Sequence, residues 1–252
     1  MHDFIELPMK KILFILSLLA ATTFSAKAQF TDFGVRAGVG YAYYADDIAT
    51  NSPILAANVG GYISYGFTNS QSMLAEMFRL QTGVNLIRRG SHFEEVLQDI
   101  LSVRQGMYSA WYVQVPLLAS FRYELPVREP GHVGLLSFGP AFNYGIFGTN
   151  KDLIFTHGYP QSDWNHKFSK PVFDVISPID VSFLLGVGYE TQDLSVMLNL
   201  DFGCMSVLYT EDALRNDPNY NDGHNYEGGN TLVPHGNNCA LLLTIGYKFP
   251  IR

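Results

Sequence analysis

Strict two-residue periodicity, held over segments of about ten residues and repeated eight times, restricts this chain more than any other feature. In residues 179–190, Ile179, Val181, Phe183, Leu185, Val187 and Tyr189 alternate with Asp180, Ser182, Leu184, Gly186, Gly188 and Glu190. Segments 194–203 and 241–249 repeat the pattern, and so do 33–43, 58–67, 76–87, 109–124 and 133–146. Alternation places successive side chains on opposite faces of a strand, so each segment presents two different surfaces. Segments of about ten residues exceed the usual soluble strand of about five or six and match a tilted strand that crosses a bilayer.

The two surfaces differ sharply. One is Val, Leu, Ile, Phe and Tyr, almost without charge. The other is Gly, Ala, Ser and Asn with a few ions. A water-facing exterior needs more charge than the second surface has. A narrow lumen, by contrast, suits small residues. The apolar surface is therefore expected to face lipid and the Gly-rich surface a plugged interior. Arg36, Arg79, Arg122 and Lys248 on the polar surface can meet Glu124, Asp180, Glu190 and Asp201. The expected lumen network comprises Arg36, Arg79, Arg122, Asp180 and Asp201, with Glu124, Glu190 and Lys248 assigned to a wet rim. Tyr41, Tyr43, Trp111, Tyr123, Tyr189, Tyr247 and Phe249 lie near segment ends, where interfacial aromatic girdles form.

Connections alternate in length. Residues 68–75, 125–132 and 191–193 are short, whereas 44–57, 88–108, 147–178 and 209–238 are long. Short periplasmic turns alternating with long extracellular loops are the pattern of outer-membrane barrels. Open strand edges cannot be satisfied in hydrocarbon, so the first and last strands should pair. The expected fold is thus all-β: a closed, eight-stranded, antiparallel up-and-down transmembrane barrel.

The N-terminal segment agrees with export. Met9, Lys10 and Lys11 precede an apolar run at 12–21, and 25–28 (SAKA) has the small-residue spacing of a cleavage site. The run is about half the length of a spanning helix. Residues 1–28 are read as a signal peptide cleaved after Ala28, with 1–8 an over-extended start and 29–252 the barrel domain. An uncleaved anchor is the alternative. Without residues 1–28 the chain keeps 13 Lys and Arg against 21 Asp and Glu, a net charge of −8. That balance argues against a nucleic-acid partner.

At this point the chain resembles the PorT-like outer-membrane β-barrel family. The resembling residues are 112–118 (YVQVPLL), 135–144 (LLSFGPAFNY), 181–189 (VSFLLGVGY) and 245–249 (IGYKF), in order across the region after residue 28. The resemblance implies outer-membrane residence, a small OmpA/OmpX-type barrel, no enzyme activity and no defined site. The Pro-Ile-Arg tail after Phe249 departs from barrels that end on an aromatic residue.

Ser91 and Glu94 have capping-box spacing, and Phe93, Val96, Leu97, Ile100 and Leu101 follow at helical spacing, which predicts a short amphipathic helix. Residues 217–223 (DPNYNDG) partly resemble a calcium loop, but Gly228 stands where the closing Glu belongs. His157, Asp163 and His166 lie close in sequence, without a metal-site spacing. Cys204 and Cys239 are a candidate disulfide across the last hairpin, with two free thiols as the alternative. No catalytic, cofactor-binding or metal residue is assigned, and no cofactor is expected. The expected partners are outer-membrane lipid and, through loops 88–108, 147–178 and 209–238, other envelope proteins. Three functions remain open: a non-catalytic barrel with a surface-interaction, envelope-structural or export-accessory role; a barrel-embedded surface hydrolase acting on lipid or peptide; and a soluble periplasmic ligand-binding barrel.

Overall fold

The computed structural model describes residues 28–45, 50–67, 77–97, 102–126, 131–156, 172–174, 176–206 and 236–249. Eight strands follow one another: β1 (Ala28–Ala45), β2 (Thr50–Phe67), β3 (Phe78–Leu97), β4 (Ser102–Glu124), β5 (Val133–Thr156), β6 (Ile179–Glu190), β7 (Leu194–Ser206) and β8 (Asn237–Phe249). Each pairs antiparallel with its sequence neighbours, and β1 pairs with β8 to close the barrel. Closure runs from Phe33 opposite Phe249 to Ala45 opposite Asn237, so neither terminal strand keeps an open edge there.

The alternation resolves as the periodicity requires. Val35, Val39, Val59, Val84, Phe142, Ile179, Val187, Leu198, Leu243 and Ile245 point outward and are exposed. Their neighbours Asn58, Asn85, Gln114, Ser137, Asn143, Asp180, Asp201 and Thr244 are buried in the lumen. An exterior this apolar is the reverse of a water-facing barrel. Aromatics collect in two belts on it. Phe33 stacks on Phe249 with centroids 5.0 Å apart, beside exposed Tyr123, Tyr189 and Tyr247. Tyr41, Tyr43, Tyr144 and Phe147 form the belt toward the other end.

Strand length departs from expectation. β1 and β2 hold 18 residues each, β3 20, β4 23 and β5 24, whereas β6, β7 and β8 hold only 12 or 13. A bilayer needs about 9–11 tilted residues, so β3, β4 and β5 run well past it. The connections expected to be long at 44–57 and 88–108 are therefore mostly paired strand, leaving 46–49 and 98–101 between strand ends. The helix expected from Ser91 and Glu94 does not form. Residues 91–97 end β3 and pair with 102–108 of β4. Helical spacing of apolar residues gave way to a ladder already running through Arg88 and Arg89, which supplies backbone partners from β4 without a cap.

Protrusion is one-sided. β6 leaves β5 at Tyr144, opposite Ile179, while β4 follows β5 to Thr156. Among the described residues, no strand pairs with 147–156 on the side away from β4.

Candidate functional site

Viewed from the short-turn end, the lumen is layered. The first layer is charged. Arg79 bonds Asp32, and Arg122 forms a two-pronged pair with Glu190, its Nη1 donating to Oε2 at 3.0 Å. Lys248 Nζ reaches Glu190 Oε1 at 2.8 Å. Glu190 is thus shared by two cations and buried. This corrects its assignment, and that of Lys248, to an unpaired wet rim; Glu124 alone of the three is exposed. Asp32 was missing from the expected network. It precedes the clean alternation of β1, so its parity carried no signal.

Arg36 sits one step deeper and has no carboxylate within 4 Å among the described residues. Its Nε donates to Asn85 Oδ1 at 3.0 Å, and its guanidinium lies 5.8 Å from the Tyr62 ring centroid. From Asn85 a relay of amides continues inward. Asn85 Nδ2 donates to Gln114 Oε1 at 3.2 Å, and Gln114 Nε2 donates to Asn143 Oδ1 at 3.1 Å and to Asp201 Oδ2 at 2.9 Å.

The relay ends at Arg89, whose fully buried side chain is the centre of the second layer. Its Nη1 donates to Asp180 Oδ2 at 2.9 Å, and its Nη2 donates to Asp201 and, at 3.1 Å, to Asn143 Oδ1. Asn238 Nδ2 adds a bond to Asp180 Oδ2 at 3.2 Å, and the Tyr112 ring lies against the guanidinium. Buried charges persist only when paired and hydrogen-bonded. Here one guanidinium ties β3 to β5, β6 and β7 across the lumen. Asp180 and Asp201 thus meet Arg89 instead of the cations expected for them, because Arg89 falls in a stretch whose sequence reads as a loop. Its odd-numbered parity with Arg79, Asn85 and Ile87 was the available signal.

The third layer is apolar and was not foreseen. Ala42, Tyr44, Ile54, Ala56, Ile87, Tyr108, Ala110, Tyr112, Ala240 and Leu242 pack inside the loop end of the barrel. A short 3-10 turn, Val172–Asp174, drops into it with Ile176. Phe173 packs edge-on against Tyr112, centroids 6.0 Å apart, directly over Gly145, where any side chain would overlap its ring. The loop end of the lumen is thereby filled among the described residues.

The thiols stay apart. Both are free, Cys204 exposed and Cys239 buried. Cys239 stands opposite Phe202, and the β7–β8 ladder breaks between Phe202 and Ser206, which takes Cys204 out of register with it. The candidate disulfide is corrected accordingly. Residues 217–223 and the set His157, Asp163 and His166 lie outside the described residues.

A family model described as outer membrane protein beta-barrel domain matches residues 25–208. The chain belongs to that family. Membership fixes this outer-membrane barrel's class and location but no specific role. Two solved structures are also similar. One is Ail, the attachment invasion locus protein of Yersinia pestis, in complex with the heparin analogue sucrose octasulfate. It is 12% identical with a TM-score of 0.36, covering 86% of this chain and 98% of that one. The other is the N-terminal β-barrel domain of Pseudomonas aeruginosa OprF, 13% identical with a TM-score of 0.30, covering 88% and 100%. No curated protein matches the sequence.

Proposed function

We propose that this barrel is a non-catalytic, PorT-like protein of the outer membrane that presents an interaction surface outside the cell. Lipid surrounds its apolar wall, its short turns face the periplasm, and the strand ends at Ala28 and Phe249 lie with them. The one-sided rise of β3, β4 and β5 past the barrel carries the reading. A spanning strand needs about 9–11 residues, and strands of 20, 23 and 24 residues project a sheet beyond that length. Residues 147–156 give that sheet an edge with no strand partner among the described residues. Unpaired edges accept added strands from other chains, through backbone groups that need no particular side chain. The lumen supports a scaffold role, since Arg89 and its two aspartates hold β3, β6 and β7 together across it. The four PorT-like segments lie in β4, β5, β6 and β8, within the barrel wall. They speak to membrane residence, and the projecting sheet speaks to surface contact.

The test is topological. Intact cells carrying Thr149→Cys in a cysteine-free background should label with a membrane-impermeant maleimide, and cells carrying Gln192→Cys should label only after the outer membrane is opened. The reverse pattern would overturn the orientation and the surface role together.

A further inference from the structure

We infer that the short-turn end of the lumen is a binding site for a small oxyanion of the phosphate class. A cavity of about 40 Å³ opens there, room for about three waters. The charged residues that line it are Arg36, Arg79, Arg122 and Lys248 against Asp32 and Glu190, four cations to two carboxylates. Pairing accounts for only part of the positive charge. Asp32 bonds Arg79 and lies 3.9 Å from Arg122 and 4.0 Å from Lys248, and Glu190 is shared by Arg122 and Lys248, so two carboxylates serve three cations and one positive charge is unmatched. Arg36 is the second unmatched cation, with a single side-chain bond, to a neutral amide. Two positive charges therefore remain in a chamber walled by a barrel whose exterior is apolar. Cations held away from bulk water draw a counter-charge, because the low-dielectric wall strengthens their field.

The donor set favours an oxyanion over a halide. Planar guanidinium forks match the oxygen spacing of phosphate and bond it through two N–H groups at once. Ser64, Ser120, Ser195 and Thr244 place hydroxyls on the same lining. The chamber is also reachable: the side chains of Arg79, Arg122 and Lys248 keep 21%, 16% and 18% of their accessibility. At the far side the amide relay and the Arg89 cluster close it, so the anion enters and leaves by the short-turn end.

The experiment is calorimetric titration of the folded full-length protein in detergent with inorganic phosphate at low ionic strength, with chloride as comparator. Phosphate should bind saturably, at one site, and at least about tenfold more tightly than chloride. Arg36→Gln should weaken phosphate by about tenfold, the cost of one charge-assisted contact, and Arg36→Lys should restore most of it. Arg88→Gln should change nothing, because Arg88 lies off the cavity and bonds Ser109 Oγ at 2.9 Å. Heat-modifiability of each variant on a gel reports that the barrel has closed. Absence of saturable phosphate heat with the closed wild-type protein, or equal losses for Arg36→Gln and Arg88→Gln, would overturn the site.

Discussion

The two ends of the lumen solve the same filling problem with opposite chemistry. At the short-turn end, partly accessible ions and hydroxyls line a cavity; at the loop end, Ile54, Ile87, Tyr112, Val172, Ile176 and Leu242 pack as an apolar core. Between them Arg89 holds two aspartates with no solvent contact. The difference shows where rigidity resides. Partly solvated ions can exchange partners with water at modest cost, whereas the buried Arg89 group and the apolar plug cannot rearrange without leaving charges or cavities uncompensated. Stability should therefore concentrate at the loop end and exchangeable sites at the turn end.

The sharpest test is Arg89→Met, which leaves Asp180 and Asp201 buried without a cation. It should lower unfolding stability in detergent by about 3–5 kcal/mol, read from urea titrations of the heat-modifiable band. A loss below about 1 kcal/mol would move the centre of rigidity elsewhere. Next comes Ile87→Ala in the plug, which should cost about 2 kcal/mol or somewhat more through the cavity it leaves. Arg79→Gln at the turn end, where the side chain keeps solvent contact, should cost about 1 kcal/mol, and that loss should shrink as salt rises, while the Arg89→Met loss should not. Equal salt dependence for both would erase the contrast between the ends. The smallest effect concerns the thiols. Cys204 should react with maleimide in the folded barrel while Cys239 waits for denaturation, and reductant should leave stability unchanged; protection of both, released by reductant, would indicate a bridge.

Legibility in the sequence followed the solvent on either side of each strand. Within the wall, every strand separates an apolar exterior from a small-residue lumen, so period two is written plainly into 179–190 and 241–249. From Arg88 onward, charged, glycine and polar residues interrupt the alternation of β3, and the sequence of β5 loses it after Phe147. There, paired strand reads as loop or, at 91–97, as helix. Arg89 was lost for that reason.

By itself, the sequence determined the number of strands, their antiparallel closure and which face turns outward, because each follows from local alternation and from the need to satisfy backbone groups where no water reaches. Only the tertiary structure decided which charges meet, since Arg89 finds Asp180 and Asp201 from positions 91 and 112 residues away. It also decided that the loop end is corked by apolar side chains. The barrel's shear brings inward-facing residues of distant strands to one level, and no single strand carries the record of that level.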